Sequence, residues 1–234
     1  MYDFDEFRSV IKALRHPETG CPWDRVQTHE TLIPCLIEET YEVIEGIRIW
    51  QNSADAENFC EELGDLLLQV VMQSQIASEE GLFTLDDVIN NVCDKMYRRH
   101  PHVFGDVVAT DAVSALASWE KAKGSEKGKD QIKNPVEAVP VSFPALYRYQ
   151  KMLKKAAKHY GRECGREAAA ESLQKLTEEV KHAECESYDA AQKQKLVADL
   201  LKQVVEISAA LDVNAEDALK EACVSFGREF QDLK

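Results

Sequence analysis

Paired cysteines are missing from this 234-residue sequence: its seven cysteines are scattered, and no two of them form a CxxC pair. An odd number of scattered cysteines favours reduced thiols in a cytoplasmic protein over a disulfide framework. The N-terminal segment MYDFDEFRSV lacks the apolar region of a secretory signal, so we expect no such signal. The longest apolar run, near LLLQVVM, is too short to span a bilayer, so we expect no membrane partner.

Basic residues are scarce as well, with 28 Lys and Arg against 42 Asp and Glu and a formal net charge of −14. Proteins that bind nucleic acid without sequence preference need a basic surface, so the charge argues against a nucleic acid partner. The same acidity disfavours a phosphate-rich ligand unless metal cations lie between ligand and protein. The sequence also contains no P-loop, no GxGxxG and no nucleophile elbow, so nothing supports the enzyme classes that use those motifs.

Alternating strand-like patterns are rare, and apolar residues recur mainly at helical spacing. We therefore predict an all-α protein, in which only VFGDVVAT could pass for a strand. The predicted helices cover residues 3–14, 31–50, 55–80, 84–99, 111–122, 144–159, 166–187, 190–211 and 214–230. Residues 124–142 contain Gly, Pro and Lys with little periodicity, which indicates a linker. We predict two tandem helical domains built on antiparallel hairpins, over residues 1–123 and 143–234.

Two helix boundaries between the predicted elements carry specific signals. Gly81 follows the long helix of residues 55–80, and glycine is the residue most often found just after a helix C-terminus. Thr84 with Asp87 resembles an N-cap and its partner, so a new helix is expected to begin there.

The strongest chemical signal lies in residues 38–65, which hold nine acidic residues and one basic residue. Glu39 and Glu42 are spaced i,i+3 and therefore share a helix face, and Glu62 and Asp65 repeat this spacing on the next helix. In an antiparallel hairpin the numbers of facing residues add to a constant. The pairs 39 with 65 and 42 with 62 meet this condition for an apex at residue 52, in the polar segment QNS. We expect both pairs to face each other.

Four converging carboxylates repel one another unless cations bind between them. All-oxygen ligand sets favour hard cations such as Mg²⁺ or Mn²⁺, so the pattern indicates a metal site. The ordinary alternative is a solvated acidic helix face, which explains one such pair more easily than two pairs in register about a turn. Ferritin-like di-iron bundles use Glu-x-x-His, and neither pair here contains histidine.

The segment IEETYEVIEGI followed by EELGDLLLQVV resembles the EExxE…ExxD signature of the MazG nucleoside triphosphate pyrophosphohydrolases. GCPWDRVQTHETL, DKMYRRHPHVFGD and SWEKAK resemble other stretches of that family, so the resemblance covers residues 1 to about 127. It implies that a homodimer of all-α domains hydrolyses nucleoside triphosphates and their deoxy forms to the monophosphate and pyrophosphate with Mg²⁺, for which Mn²⁺ can substitute. By this match the metal ligands are Glu39, Glu42, Glu62 and Asp65. Glu38 is an additional acid that orients water or lies in the outer shell.

Several residues in the matching stretches are candidate substrate contacts, each with an ordinary structural alternative. Trp23 lies in a loop with Pro and Gly, where it can stack on a nucleobase or cover the protein core. Arg98 and Arg99 at a helix end, and Lys95 one turn earlier, can contact phosphate or simply favour the helix dipole. Lys123 in SWEKAK contacts a phosphate or belongs to a solvated face.

The C-terminal part resembles a degenerate copy of the first hairpin, as internal duplication within the family implies. KLTEEVKHAECES aligns with CLIEETYEVIEGI, and LVADLLKQVVEI aligns with ELGDLLLQVVMQ. The positions that match the acidic residues of the first copy carry Glu178, Glu179, His182, Leu196 and Asp199. His182 and Leu196 replace Glu42 and Glu62, and leucine cannot bind a metal. We therefore predict that catalysis belongs to the first copy and that the second serves packing or dimerisation.

Two functions remain open from the sequence. The first is hydrolysis of nucleoside triphosphates through the N-terminal carboxylates. The alternative is a non-catalytic helical dimer scaffold or interaction protein that retains the fold. The eroded second copy favours the alternative, and the intact first set of carboxylates opposes it.

Overall fold

The computed structural model describes residues 1–126, 134–162, 165–183 and 188–230, without the side chains of residues 182 and 183. These residues form ten α-helices and one short 3₁₀ helix, and none of them forms a strand, so the all-α prediction is confirmed. The chain divides into two compact units, Met1–Glu126 and Lys127–Lys234. The linker and domain limits predicted from composition stay predictions. No helix in the described part of the chain is long and apolar enough to cross a membrane.

The first unit contains six α-helices and the 3₁₀ helix. They are α1 (Phe4–Leu14), the 3₁₀ helix (Asp24–Val26), α2 (Ile33–Ser53), α3 (Glu57–Glu79), α4 (Leu85–Arg99), α5 (Pro101–Phe104) and α6 (Ala112–Gly124). The helical pattern breaks at His100 as expected, but the four-residue α5 follows at once because Pro101 is suited to a first helical turn. The segment VFGDVVAT supplies the end of α5 and irregular backbone, not a strand.

Side-chain caps set the helix boundaries that the sequence signals predicted. The Thr84 hydroxyl accepts a hydrogen bond from the Asp87 N–H, and the Asp87 carboxylate accepts one from the Thr84 N–H. This reciprocal pair satisfies two N–H groups that the helix itself leaves unpaired. At the end of α3, Gly81 takes a φ of +71°, a left-handed conformation that glycine adopts without a steric penalty.

The apolar core of the first unit lies at one end of the α2–α3 hairpin. Its buried members come from α1, the start of α2, the C-terminal half of α3 and the start of α4: Ile11, Leu32, Val71, Met72, Ile76 and Leu85. Beyond its first turn, only Gly46 of α2 is buried. The four predicted ligands lie along the hairpin between this core and the apex, and Glu39 is closer in sequence to Ile33 than to Ser53.

The second unit repeats the hairpin arrangement. Its helices are α7 (Ala145–Tyr160), α8 (Arg166–Ala183), α9 (Ala190–Ala210) and α10 (Ala215–Arg228). Asp189, the apex expected from the sequence, is the N-cap of α9, and its side chain accepts a hydrogen bond from the Gln192 N–H. The predicted extension of α8 over residues 184–187 lies outside the described residues.

Candidate metal centre

The α2–α3 hairpin has the register that the acidic pairs require. Gly46 of α2 lies so close to α3 that a Cβ atom on it would be 3.0 Å from the Phe59 Cα and 3.3 Å from the Asn58 Oδ1. The numbers 46 and 58 have the same sum as 42 and 62, so these two residues face each other one helical turn nearer the apex. The missing side chain of Gly46 thus lets the two helices approach next to the acidic residues.

Three of the four predicted ligands meet in this hairpin. One carboxylate oxygen each of Glu39, Glu42 and Glu62 lies within 4.8 Å of the other two. Two oxygens on opposite sides of an octahedral Mg²⁺ are about 4.2 Å apart, so small side-chain rotations bring these three within bonding distance of one cation. An all-carboxylate donor set of this size fits Mg²⁺ or Mn²⁺. Asp65 is not a member of this group of three.

Electrostatics nevertheless link Asp65 to the cluster. Burial is the largest cause that raises the pKa of Glu39 above its ordinary value. The negative charge of Asp65 is the next cause, followed by Glu42 and Glu62. Among the described residues, no salt bridge neutralises any of these four carboxylates. Among the described residues the mutual repulsion is therefore not offset by an ion pair, and a cation bound between the carboxylates would relieve it.

Asn58 is a neighbour of the cluster that the sequence analysis missed. Its Nδ2 donates a hydrogen bond to the Glu62 Oε1 at 2.7 Å. The i,i+4 spacing of Asn58 and Glu62 on one helix is a sequence signal that could have identified this contact. Glu38 is exposed and lies outside the group of three, so its role in orienting water stays a prediction.

Trp23 lies just before the 3₁₀ helix and is 57% exposed, which leaves it free to stack and argues against a role as a core cap. The loop that carries it is fixed by Arg15, a second residue that sequence reasoning missed. The Arg15 side chain is 7% exposed, donates through Nε and Nη2 to Glu79, and donates through Nη1 to the carbonyl oxygens of Asp24 and Gln27. The loop is thereby joined to α1 and α3.

The predicted phosphate contacts of α4 and α6 have varied environments. Arg99 donates from Nε and Nη2 to the two carboxylate oxygens of Glu126, both at 2.8 Å. The Arg99 guanidinium lies 5.2 Å from the centre of the Trp119 ring, and the Lys123 Nζ lies 4.4 Å from it. In the described part of the chain no ion pair joins these cations to the carboxylate cluster. Lys95 is partly buried and Arg98 is exposed.

In the second unit, the acidic residues at the matching positions have local partners. Glu178 pairs with Lys181 at 2.7 Å, and Glu179 accepts a hydrogen bond from the Tyr188 hydroxyl at 2.9 Å.

Asp199 pairs with Lys202 at 2.9 Å, and this hydrogen bond is the largest cause that lowers the pKa of Asp199. Leu196, at the position that matches Glu62, is buried. The side chain of His182 lies outside the described residues. Of the side chains described at these positions, Glu178 and Asp199 pair with lysines, Glu179 is hydrogen-bonded to a tyrosine hydroxyl, and Leu196 is apolar.

Comparison with known proteins gives one match within the first unit and others over the whole chain. Residues 27–104, which include all four predicted ligands, match the family model of the MazG nucleotide pyrophosphohydrolase domain. The chain is 36% identical over 238 residues to a nucleoside triphosphate pyrophosphohydrolase of Escherichia coli strain K12, with all of this chain and 88% of the relative covered. It is 38% identical over 231 residues to the nucleoside triphosphate pyrophosphohydrolase/pyrophosphatase MazG of Thermotoga maritima, with 99% of this chain and 85% of the relative covered.

Proposed function

This chain belongs to the MazG family of nucleotide pyrophosphohydrolases, and we propose that the carboxylate cluster of its first unit is the centre of that activity. The protein hydrolyses nucleoside triphosphates to the nucleoside monophosphate and pyrophosphate. The observation that carries the assignment of the site is the convergence of Glu39, Glu42 and Glu62 within 4.8 Å. Asp65, whose charge acts on Glu39, completes the proposed ligand set.

The proposed cofactor is Mg²⁺, with Mn²⁺ as a substitute, because the donors are all carboxylate oxygens. A divalent cation at this position would neutralise triphosphate oxygens and lower the pKa of a water molecule. It would also let a chain of net charge −14 bind a polyanion.

The protein's own residues hold the reacting groups in place. Glu39, Glu42, Glu62 and Asp65 would hold the cation. Glu38, which is exposed on α2, is proposed to orient the attacking water.

Trp23 and Arg98 are exposed and can contact the base and the phosphates directly. Lys95 is proposed as a further phosphate contact. Arg99 and Lys123 can act on phosphate only by leaving Glu126 and the Trp119 ring.

A homodimer is the proposed assembly, and an apolar face on the hairpin supports it. Ile37 and Tyr41 of α2 and Leu67 and Leu63 of α3 are 40–50% exposed, and the pairs 37 with 67 and 41 with 63 lie at equal depths of the hairpin. Exposed apolar residues at adjacent depths of the hairpin form a patch, and such a patch indicates an interface more than isolated exposed residues do. Because α2 and α3 also carry the carboxylates, a partner on this face would lie beside the proposed site. A cytoplasmic location stays a prediction from the cysteine pattern.

The test is pyrophosphate release from a mixture of canonical nucleoside and deoxynucleoside triphosphates, with Mg²⁺, with Mn²⁺ and with EDTA. We expect release with either cation and none with EDTA. A folded dimer that releases no pyrophosphate from any triphosphate under all three conditions would contradict the proposal and favour the scaffold function.

A further inference from the structure

Asn58 lies one helical turn before Glu62 on α3, on the apex side of the carboxylates. Its Nδ2 donates to the Glu62 Oε1 at 2.7 Å, and a Cβ atom on Gly46 would lie 3.3 Å from its Oδ1. The side-chain amide therefore has the backbone of α2 on one side and the Glu62 carboxylate on the other. Without the close approach at Gly46, this amide would have room to take other rotamers.

We propose that Asn58 is a positioning residue that fixes the rotamer of Glu62 and leaves Glu62 Oε2 free to bind the cation. This inference rests on the proposed function of the cluster. An amide donor orients a carboxylate without cancelling its charge, whereas a lysine or arginine at the same position would compete with the cation. Loss of such an outer hydrogen bond typically changes metal affinity by about 10–100-fold.

The experiment measures Mn²⁺ affinity by electron paramagnetic resonance on the full chain without nucleotide. We expect Asn58→Ala to raise the Mn²⁺ dissociation constant by about 10-fold with an unchanged circular dichroism spectrum. Asn52→Ala is the matched control, because Asn52 is an exposed asparagine of the same hairpin whose Nδ2 donates to the Arg48 carbonyl oxygen and not, among the described residues, to a carboxylate of the cluster. This control should bind Mn²⁺ as the wild type does.

Glu62→Gln and the double variant separate this inference from the proposed site itself. If Asn58 acts through Glu62, adding Asn58→Ala to Glu62→Gln changes the affinity by less than about twofold. Wild-type affinity in Asn58→Ala, or an additive loss in the double variant, would overturn the role of Asn58 while leaving the metal site in place. Equal Mn²⁺ binding by wild type and Glu62→Gln would overturn both proposals.

A separate observation concerns the second unit, where α7 is strongly basic. Over Ala145–Tyr160 it carries five lysine and arginine residues and no acidic residue, in a chain whose net charge is −14. A cavity of about 240 Å³ lies between α7 and the turn that joins α9 to α10. Its lining residues are Tyr147, Gln150, Lys151, Lys154, Asp212, Val213 and Asn214.

Buried hydrogen bonds hold the walls of this cavity in place. Gln150 is 6% exposed, donates to the Val213 carbonyl oxygen at 2.7 Å and accepts from the Ala215 N–H at 3.2 Å. Lys151 and Lys154 lie one turn apart, and neither forms a salt bridge within the described residues. The Lys151 Nζ lies 5.3 Å from the centre of the Tyr147 ring. The cavity is thus preformed, with two ammonium groups and one aromatic face.

The geometry points to a second site, for a small phosphate-bearing anion, with the phosphate between Lys151 and Lys154. Ammonium groups are point charges that suit phosphate oxygens. The Tyr147 ring contacts Phe143 and the Lys151 ammonium, and its remaining surface can contact a ring attached to the phosphate. The Asp212 carboxylate on the opposite wall leaves the lining with a net charge of +1 and can accept a hydrogen bond from a sugar hydroxyl. This site is independent of the carboxylate cluster of the first unit.

Calorimetric titration of the full chain in EDTA tests this site, because chelation removes phosphate binding that requires a divalent cation. The probes are inorganic phosphate, pyrophosphate and adenosine monophosphate. We expect at least one of them to bind saturably, and the Lys151→Gln, Lys154→Gln variant to bind it at least 10-fold more weakly.

The matched control is Lys175→Gln with Lys193→Gln, which removes two exposed lysines of the same unit. This variant should bind the probe as the wild type does. The absence of saturable binding, or an equal loss in the control, would overturn the site.

Discussion

Arg15 and Glu79 form an ion pair that joins α1 to the end of α3. The Arg15 Nε and Nη2 donate to the Glu79 carboxylate at 2.7–3.0 Å. Burial works to raise the pKa of Glu79, but hydrogen bonds from Arg15 and Gln75 together with the charge of Arg15 outweigh it and lower that pKa. The same guanidinium holds two carbonyl oxygens of the loop that presents Trp23.

Removal of this guanidinium should destabilise the first unit. We expect Arg15→Ala to lower the free energy of unfolding by about 2–4 kcal/mol, because it removes the cation that pairs with a partly buried carboxylate and a donor to two carbonyl oxygens. Arg15→Lys should recover part of the loss, since one ammonium cannot replace the planar fork. Urea denaturation measures both variants, with Arg25→Ala on the same loop as control. A loss below about 0.5 kcal/mol in Arg15→Ala would contradict this role.

Glutamine at the proposed ligand positions should abolish activity without unfolding the protein. We expect Glu42→Gln and Glu62→Gln to lower pyrophosphate release by at least about 100-fold, because each removes a charge that holds the cation. Glu61→Gln is the control, since Glu61 is an exposed neighbour outside the cluster. Wild-type turnover in Glu62→Gln would show that the chemistry lies elsewhere.

The raised pKa of Glu39 predicts a pH dependence in the metal-free protein. The folded state binds a proton at Glu39 more readily than the unfolded state does, because the pKa of Glu39 is higher in the folded state. This group therefore makes the protein more stable as the pH falls from 7 towards 4.5, the ordinary pKa of a glutamate. Glu39→Gln should flatten that slope and raise stability at pH 7, while weakening Mn²⁺ binding. Urea denaturation in EDTA at several pH values measures the slope. The same slope in both proteins would refute the prediction.

The acids of the second unit should be dispensable for catalysis. Glu179 and Asp199 already have Tyr188 and Lys202 as partners, and Leu196 offers no ligand atom. We expect Glu179→Gln with Asp199→Asn to keep pyrophosphate release within about twofold of wild type, since neither group holds the proposed cation. A 100-fold loss, comparable to that of Glu62→Gln, would place the active centre in the second unit.

The exposed apolar face of the hairpin should mediate dimerisation. We expect Leu67→Lys to shift the mass in light scattering from two chains towards one, because a lysine must be desolvated to enter an apolar interface. Leu82→Lys is the control, as Leu82 is also exposed but lies beyond the end of α3. A wild-type protein that is a single chain at all concentrations would rule out the dimer.

The elements that the sequence predicted are those governed by local rules. Thr84 and Asp87 cap α4 through contacts three residues apart, and the α2–α3 register follows from helical spacing about a short turn. The contacts of Arg15 with Glu79 and of Arg99 with Glu126 were missed because they join residues 64 and 27 positions apart. Such contacts depend on how helices pack, which periodicity does not encode. A phosphate bound by Arg99 would thus have to displace Glu126, a partner that no sequence motif indicated.

The short connection between α2 and α3 determines where the chain can change its length. Ala54 takes a left-handed φ of +59°, and α3 begins three residues later, so the turn contains no ligand of the cluster. An insertion in residues 54–56 leaves both helices intact and their carboxylates on the same faces. A one-residue insertion between Glu42 and Ser53, or between Glu57 and Glu62, turns the carboxylate pair of one helix by about 100° relative to the pair of the other helix and displaces it by about 1.5 Å. Insertions are therefore tolerated in the turn at residues 54–56 and are excluded from the parts of α2 and α3 between that turn and the carboxylates.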